Sequence, residues 1–321
     1  MKKIIILPAV VFVFMFLSNG CKEAADPAAP QPADTQTPTP APTVYLQHLK
    51  TWGSTGAGSG TFDRPMGISV DNSTGNVFVA DNSNYKIQVF DSDGNFENEW
   101  GGWGEGNGEF KYPQDVAVDS RSGRVFVADT MNDRIQVFDR EGVYVFEWGG
   151  SGTGDGLFDT PAGVAVNGTN GRVYVSDSGN DRIQVFDITG AFISKAGSLG
   201  SGNGEFNHPG KLAVDESSGR IYVPERDNNR VKEISSGLSY ISEWASSGSP
   251  RGADVHGGKN LLFIASTDNN TVPIYGLGGT YITTISNGFI SPYDIAINEE
   301  LGRVYVSDLG NDRIQSFIIY N

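Results

Sequence analysis

The sequence is poor in cysteine, in histidine and in basic residues. Cys21 is the only cysteine among 321 residues, so no disulfide forms within the chain and packing alone must stabilise the folded part. Three histidines are spread along the chain, which argues against a zinc site built from several histidines. Lysine and arginine number 23 against 38 acids, which gives a net charge of −15. Such a body repels a phosphate backbone, so we expect no nucleic acid partner.

Residues 1–20 have the composition of a signal peptide. Lys2 and Lys3 precede an apolar run from Ile4 to Leu17, which is shorter than the roughly 20 residues of a membrane-spanning helix. The sequence "LSNG" before Cys21 resembles the lipobox of bacterial lipoproteins, although Ser18 stands where an aliphatic residue is usual. The resemblance implies that residues 1–20 are removed and that Cys21 is lipidated. It also implies a membrane-anchored protein of the bacterial cell envelope, periplasmic or at the cell surface.

Residues 21–43 are rich in proline, alanine and threonine. This composition offers too little apolar surface for folding, and its prolines favour an extended spacer. We therefore predict a disordered linker over residues 21–43, which leaves residues 44–321 for the folded domain.

The rest of the chain repeats itself about every 48 residues. Trp52, Trp100 and Trp148 recur at this interval, and a proline follows 13 residues after each of them. Within each unit, alternating apolar segments separated by glycine turns are typical of short β-strands. Six units of four strands predict an all-β, six-bladed β-propeller of four-stranded blades. The prolines that mark the six units are Pro65, Pro113, Pro161, Pro209, Pro250 and Pro292.

The last unit contains three strand patterns instead of four. A segment before the first unit, "VYLQHLKTW" at 44–52, matches the pattern of a fourth strand. We therefore expect an N-terminal strand at about 44–52 to complete the last blade. Closing the ring in this way removes exposed sheet edges.

The repeated unit resembles the NHL repeat. The resemblance rests on segments such as "PQDVAVD" at 113–119 and "GRVFVADTMNDRI" at 123–135, and it covers residues 44–321. NHL domains are six-bladed propellers that mostly bind proteins, peptides or nucleic acids. Some relatives with similar propellers are lyases or metal-dependent hydrolases.

A recurrent acid–amide–base motif has the residue types of a catalytic or metal site. In the second unit it consists of Asp129, Asn132 and Arg134. An active site is needed once, whereas this motif recurs in almost every unit, so we interpret it as structural. Its acids then fix the loop between the second and third strands through local hydrogen bonds. The residues assigned this structural role are Asp81, Asp129, Asp177, Asp308, Arg134, Arg182, Arg230 and Arg313.

Departures from the repeat point to units four and five as the functional region. Lys211 stands where other units have glycine or aspartate, and Asp254 stands where they have serine or alanine. We expect Lys211 and Asp254 to form an ion pair between adjacent blades. The loops before Pro250 and Pro292 are about half as long as in the first four units, which predicts a low rim and a groove. The candidate ligand-binding residues are His208, Lys211, Glu225, Arg226, Arg251, Asp254 and Asp268.

These observations predict a monomeric binding scaffold without a cofactor. It would bind a protein, peptide or glycan through the loops between blades and the loops that join second to third strands. The alternative function is a metal-dependent hydrolase or lyase with its site at the mouth of the central channel. In that case Asp115, Asp254 and Asp294 would supply oxygen ligands to a divalent metal. No catalytic residue is assigned.

Overall fold

The computed structural model describes residues 44–320, so the predicted signal peptide, Cys21 and linker lie outside the described residues. The described chain forms six antiparallel sheets of four strands each. The first strands of the six sheets contact one another in a closed ring around an axis. The predicted six-bladed β-propeller is therefore confirmed. No helix within residues 44–320 is long and apolar enough to cross a membrane.

In the first five blades, the strands run outward from the axis in chain order. The first three blades contain β2 (Pro65–Val70), β3 (Val77–Asp81), β4 (Lys86–Phe90), β5 (Phe96–Gly101), β6 (Pro113–Asp119), β7 (Arg124–Asp129), β8 (Arg134–Phe138), β9 (Tyr144–Gly149), β10 (Pro161–Asn167), β11 (Arg172–Asp177), β12 (Arg182–Asp187) and β13 (Phe192–Ala196). The last three contain β14 (Ala213–Asp215), β15 (Arg220–Glu225), β16 (Arg230–Ile234), β17 (Tyr240–Ala245), β18 (Pro250–His256), β19 (Leu261–Ser266), β20 (Val272–Gly276), β21 (Tyr281–Ile285), β22 (Pro292–Asn298), β23 (Arg303–Asp308), β24 (Arg313–Tyr320) and β1 (Tyr45–Trp52). Short 3-10 turns lie at Asn82–Asn84, Thr130–Asn132, Ser178–Asn180, Gly257–Lys259 and Leu309–Asn311.

The N-terminal strand closes the ring. β1 pairs antiparallel with β24, and its register runs from Tyr45 opposite Tyr320 to Trp52 opposite Ile314. The sixth blade therefore has the order β22, β23, β24, β1. This confirms the predicted closure, in which the last blade takes its outer strand from the other end of the domain.

The hydrophobic core lies between neighbouring blades. Alternating residues of each strand face one neighbouring blade or the other, because successive side chains point to opposite sides of a sheet. Between the first two blades, for example, Phe78 and Ile87 pack with Val116, Val125 and Phe138. Full burial of each such side chain contributes about 1.5–3 kcal/mol. No blade can bury both of its faces without its neighbours, so the ring is stabilised as a unit.

The recurrent acid forms the centre of a buried hydrogen-bond group in its blade. Asp129 is fully buried and accepts hydrogen bonds from the backbone N–H of Lys111 at 2.7 Å and from Asn132 at 2.8 Å. It also accepts from Arg134 Nε at 2.8 Å and from Gln136 at 3.0 Å. The acid thus joins the end of β7, the following turn and the start of β8. In three other blades the corresponding acids, Asp177, Glu225 and Asp308, make equivalent contacts with a backbone N–H, the amide and the base. Asp81 makes the same contacts except the one with the base, because Lys86 pairs with Glu99.

The recurrent base extends this group to the loop that enters the blade. Beyond its bond to Asp129, Arg134 donates hydrogen bonds to the carbonyl oxygens of Glu105, Gly106 and Glu109 at 2.8–3.0 Å. These residues belong to the glycine-rich loop that crosses from the first blade to the second. The arginine therefore ties the crossing loop to the sheet, which is a structural role.

We predict that Asp129→Ala lowers the free energy of unfolding by about 3 kcal/mol, because it leaves four hydrogen-bond donors without their acceptor. Arg134 would keep only Glu147 as a carboxylate partner. Urea denaturation of the purified variant measures this change. Met131→Ala is the matched control, because Met131 lies in the same turn and is 56% exposed. Its expected effect is within about 0.5 kcal/mol. An Asp129→Ala variant as stable as the wild-type protein would contradict the structural role.

Candidate functional site

The first strands of the six blades pack closely around the axis. The closeness of this packing is visible at one position of each blade, the second residue after the proline that marks the unit. This position holds glycine in the odd blades and a charged residue in the even blades. A Cβ atom added at Gly67, Gly163 or Gly252 would lie less than 3.0 Å from the Cα atom of the charged residue in the next blade. At this position the axis therefore has room for a large side chain only in every second blade. The charged residues are Asp115, Lys211 and Asp294.

Lys211 crosses the axis from the fourth blade to the opposite side of the ring. Its ammonium lies 2.6 Å from Asp294 Oδ2 of the sixth blade and 3.8 Å from Asp115 Oδ1 of the second. It also donates a hydrogen bond to the carbonyl oxygen of Ile68 in the first blade. One side chain thus contacts three other blades.

The acids at the axis join neighbouring blades as well. Asp115 accepts a hydrogen bond at 2.8 Å from the backbone N–H of Val164 in the third blade. Asp294 accepts one at 2.8 Å from the N–H of Ile68 in the first blade. The inner edge of a first strand has unpaired N–H groups, and a carboxylate from the next blade is a strong acceptor for them.

Three acids and one base share this region of the axis. Burial raises the pKa of Asp115 to about 8 and the pKa of Asp254 to about 7, in each case against the opposing effect of Lys211. Burial also raises the pKa of Asp294. Burial alone would lower the pKa of Lys211, but the carboxylates of Asp294, Asp115 and Asp254 outweigh it and raise that pKa. One ammonium cannot neutralise three carboxylates, so the group retains protons at neutral pH.

A cavity of about 690 Å³ opens from the axis. Its mouth lies at the face formed by the turns between first and second strands, called the turn face here. Lys211 and Asp254 line the inner end of the cavity, and Arg121 and Glu216 lie at the mouth. Both oxygens of Asp254 accept backbone N–H bonds, from Val255 and from Ile297, at 2.8 Å each.

Two expectations for these axial residues are corrected by the structure. The partner of Lys211 is Asp294, two blades away, and not Asp254 of the adjacent blade. Lys211 and Asp254 also line the axial cavity instead of a groove at the low rim. The alternative metal site at Asp115, Asp254 and Asp294 fits this geometry poorly, because the ammonium of Lys211 lies between Asp115 and Asp294. Within residues 44–320, no group of three or more His, Cys, Asp or Glu side chains is arranged to hold a metal ion.

The opposite face, formed by the inter-blade loops and the loops between second and third strands, is called the loop face. There His208 Nδ1 lies 2.9 Å from Asp227 Oδ2, and Arg226 Nε lies 2.5 Å from Asp227 Oδ1. The hydrogen bonds and charge of Arg226 lower the pKa of Asp227. One blade further, Asp268 accepts a hydrogen bond from the hydroxyl of Ser249. The side chains of His208, Asp227 and Asp268 reach solvent.

Arg251 completes this group at the side nearest the axis. Its guanidinium carbon lies 5.7 Å from the ring centroid of Tyr293, a cation–π contact. Burial raises the pKa of Tyr293 to about 12, against the opposing effect of Arg251. We call His208, Arg226, Asp227, Arg251 and Asp268 the polar patch. Asp227 and Tyr293 are not among the residues predicted from the sequence, although Asp227 follows Glu225 by two residues just as the predicted Asp268 follows Ser266.

Glu225 does not belong to the polar patch. It is fully buried and accepts hydrogen bonds from Arg230 at 2.7 Å and from Asn228 at 2.6 Å. It therefore takes the place that Asp129 has in the second blade. At the position of Gln136 this blade has Lys232, whose ammonium lies 3.4 Å from Glu225 Oε1. The structure thus assigns Glu225 to the scaffold.

We predict that stability falls as the pH rises from 5 to 8, and that Asp254→Ala reduces this fall. The folded state raises the pKa of Asp254 from 3.8 to about 7, so it binds more protons than the unfolded state in this interval. Stability then decreases with rising pH. Alanine occupies the equivalent position in four other blades. The expected reduction is about 2–3 kcal/mol, measured by urea denaturation at both pH values.

Asp268→Ala is the control, since it removes an exposed carboxylate from the loop face and should leave the pH dependence unchanged. If Asp254→Ala and the wild-type protein show the same fall in stability between pH 5 and pH 8, the assigned protonation of Asp254 is incorrect.

The sequence matches a family model described as a 6-bladed beta-propeller (DUF5128) over residues 63–147 and 163–246, which together are just over half of the chain. A second similarity is to protein lin-41 of Caenorhabditis elegans, with 52% identity over 48 residues. These residues are 15% of this chain and 4% of that protein. The latter match has the length of one repeat, so it supports the NHL resemblance for a single unit.

Similar folds occur among solved structures. A chain of the nidogen/laminin complex has a TM-score of 0.60 and 18% identity, covering 73% of this chain and 86% of that one. A Bacteroides thetaiotaomicron protein of unknown function has a TM-score of 0.66 and 17% identity, covering 86% and 76%. Hydrazine synthase of Kuenenia stuttgartiensis has a TM-score of 0.57 and 11% identity, covering 79% and 95%. At these identities the likeness concerns the fold alone. With six closed blades and a matching family model, the chain belongs to the 6-bladed beta-propeller family DUF5128.

Proposed function

We propose that the protein is an exported, membrane-anchored binding scaffold that takes a protein, peptide or glycan on its loop face. Export and anchoring rest on the sequence of residues 1–20 and on Cys21. The propeller supports a scaffold role because its blades are held together by a continuous core and by the axial charges. One similar propeller comes from the nidogen/laminin complex, which is a complex between proteins.

The observation that carries the proposal is the polar patch, which brings charged side chains of both signs together on the loop face. His208, Arg226 and Asp227 are paired with one another while still reaching solvent. Exposed ion pairs of this kind contribute little to stability, so they exchange readily for contacts with a partner. Arginine is also enriched among the residues that dominate binding energy at protein interfaces. A mixed-sign patch fits a peptide or protein segment that carries both an acid and a base.

We predict that peptides selected for binding to the purified protein from a random displayed library depend on the polar patch. The test variant combines Arg226→Ala, Asp227→Ala and Asp268→Ala. The control variant combines Arg121→Ala, Glu216→Ala and Glu300→Ala on the turn face, which removes the same number of charges of each sign. Affinity should fall at least about tenfold in the test variant, which corresponds to about 1.4 kcal/mol, and remain within about twofold in the control.

The thermal unfolding of both variants shows whether they are folded. Binding that survives in the test variant, or that is lost in the turn-face variant instead, would contradict the proposed use of the loop face.

A further inference from the structure

Three aromatic side chains form an exposed cluster on the loop face between the first and second blades. Trp103 is 56% exposed and Tyr112 is 39% exposed. The ring centroid of Tyr85 lies 4.8 Å from that of Trp103 and 5.1 Å from that of Tyr112, and all three rings meet edge to face. Lys111 lies over the Trp103 ring at 5.7 Å and is paired with Glu105. We call Tyr85, Trp103 and Tyr112 the aromatic platform.

The aromatic platform lies at the junction between the first and second blades. Among the six junctions of the described ring, this one lacks a hydrogen bond that the other five share. At the other five, an Asp or Asn after the second strand accepts a hydrogen bond, at 2.7–3.0 Å, from the N–H of the residue before the next blade's proline. At the first junction Tyr85 occupies the acceptor position, where its ring contacts Tyr112 instead. The acceptors at the other junctions are Asp133, Asp181, Asn229, Asn270 and Asp312.

The backbone makes a tyrosine at this position costly. Tyr85 has a φ of 57°, and its five counterparts have φ values of 49–56°. Asp and Asn tolerate this left-handed region better than other residues with a side chain, whereas a bulky residue there is unusual. The residue before the proline also has a positive φ at every junction, from 47° at His208 to 60° at Arg64. The first junction therefore differs from the others in the contact between blades that it lacks and in the aromatic rings that it presents.

We propose that the aromatic platform binds a neutral glycan. The weakly positive C–H groups of a sugar ring fit the electron-rich face of an aromatic ring. Hydroxyl groups at the edge of the sugar can pair with the polar side chains of Lys111 and Glu105 beside the rings. Trp103 is held in place by Lys111 and by its aromatic neighbours, which limits the entropy lost on binding. The proposal rests on the proposed function only in sharing the loop face, because the residues of the polar patch are not involved.

The same observations argue against two other ligand classes. An aromatic cage for a quaternary ammonium group needs space between its rings, whereas the three centroids here lie 4.8–5.9 Å from one another. A polyanionic ligand would be repelled by a chain with a net charge of −15. A neutral ligand with apolar faces and a polar edge matches both the rings and the charge.

Affinity electrophoresis in native gels that contain a neutral polysaccharide tests the proposal. A glucan, a mannan and a galactan would be used, with a polyuronate as the anionic comparison. At least one neutral polysaccharide should slow the wild-type protein, and Trp103→Ala should weaken this retardation at least fivefold. Leu199→Ala is the matched control, because Leu199 has the equivalent place in the loop before the fourth blade and is 66% exposed. It should migrate as the wild-type protein does.

Tyr85→Asp separates binding from folding. It supplies the acceptor found at other junctions, so the variant should unfold at the same temperature as the wild-type protein or higher while losing retardation. Retardation of the wild-type protein by the polyuronate alone, or by no polysaccharide, would overturn the proposal. So would a Trp103→Ala variant that is slowed as strongly as the wild-type protein. Peptide binding through the polar patch is measured separately and does not depend on these results.

Discussion

The six first strands meet so closely at the axis that, at the second residue after the proline of each unit, a large side chain fits only in every second blade. The rest of the structure depends on this constraint. Glycine in the odd blades lets the strands approach, and the even blades supply Asp115, Lys211 and Asp294. The two acids accept backbone N–H groups of the following blades, and Lys211 reaches across to the opposite side of the ring. Buried carboxylates are unfavourable without a counter charge, so the single ammonium stabilises the ionised acid beside it, and the acids that it does not neutralise retain protons.

Around this axis, the residues divide into those that recur and those that do not. The recurrent acid and base fix the loops of five blades to their sheets, and the Asp or Asn beside them joins neighbouring blades at five junctions. These contacts leave the loop face rigid without occupying it. The polar patch and the aromatic platform are both built where a unit departs from the repeat, so each presents side chains that the scaffold does not require. The loop face can therefore change its ligand chemistry from blade to blade without changing the fold.

The fold followed from the sequence because each unit repeats the same strand and turn signals, and the missing outer strand of the last blade had a matching segment at 44–52. The partner of Lys211 did not follow, because the pair joins residues 83 positions apart across the axis. A comparison of adjacent units in the sequence cannot reveal a contact between the fourth and sixth blades. Glu225 departs from the repeat in residue type, but it keeps the contacts of the recurrent acid with the amide and the base of its blade. The departure at Tyr85 is visible in the sequence, because the other five units have Asp or Asn at this position, which follows that of Asn132. Its significance became clear only from the structure, in which the Asp or Asn makes a contact between blades that Tyr85 replaces.

The central claim is that the ammonium of Lys211 stabilises the axial acids, and urea denaturation of Lys211→Met at two pH values tests it most directly. Methionine keeps much of the side-chain length and removes the charge. The variant should lose about 3–5 kcal/mol of unfolding free energy at pH 7.5, as expected when one partner of a buried ion pair is removed. Part of that loss should be recovered at pH 5, because the raised pKa values leave the acids protonated there and a neutral acid needs no counter charge. An unfolding free energy equal to that of the wild-type protein at both pH values would contradict the claim.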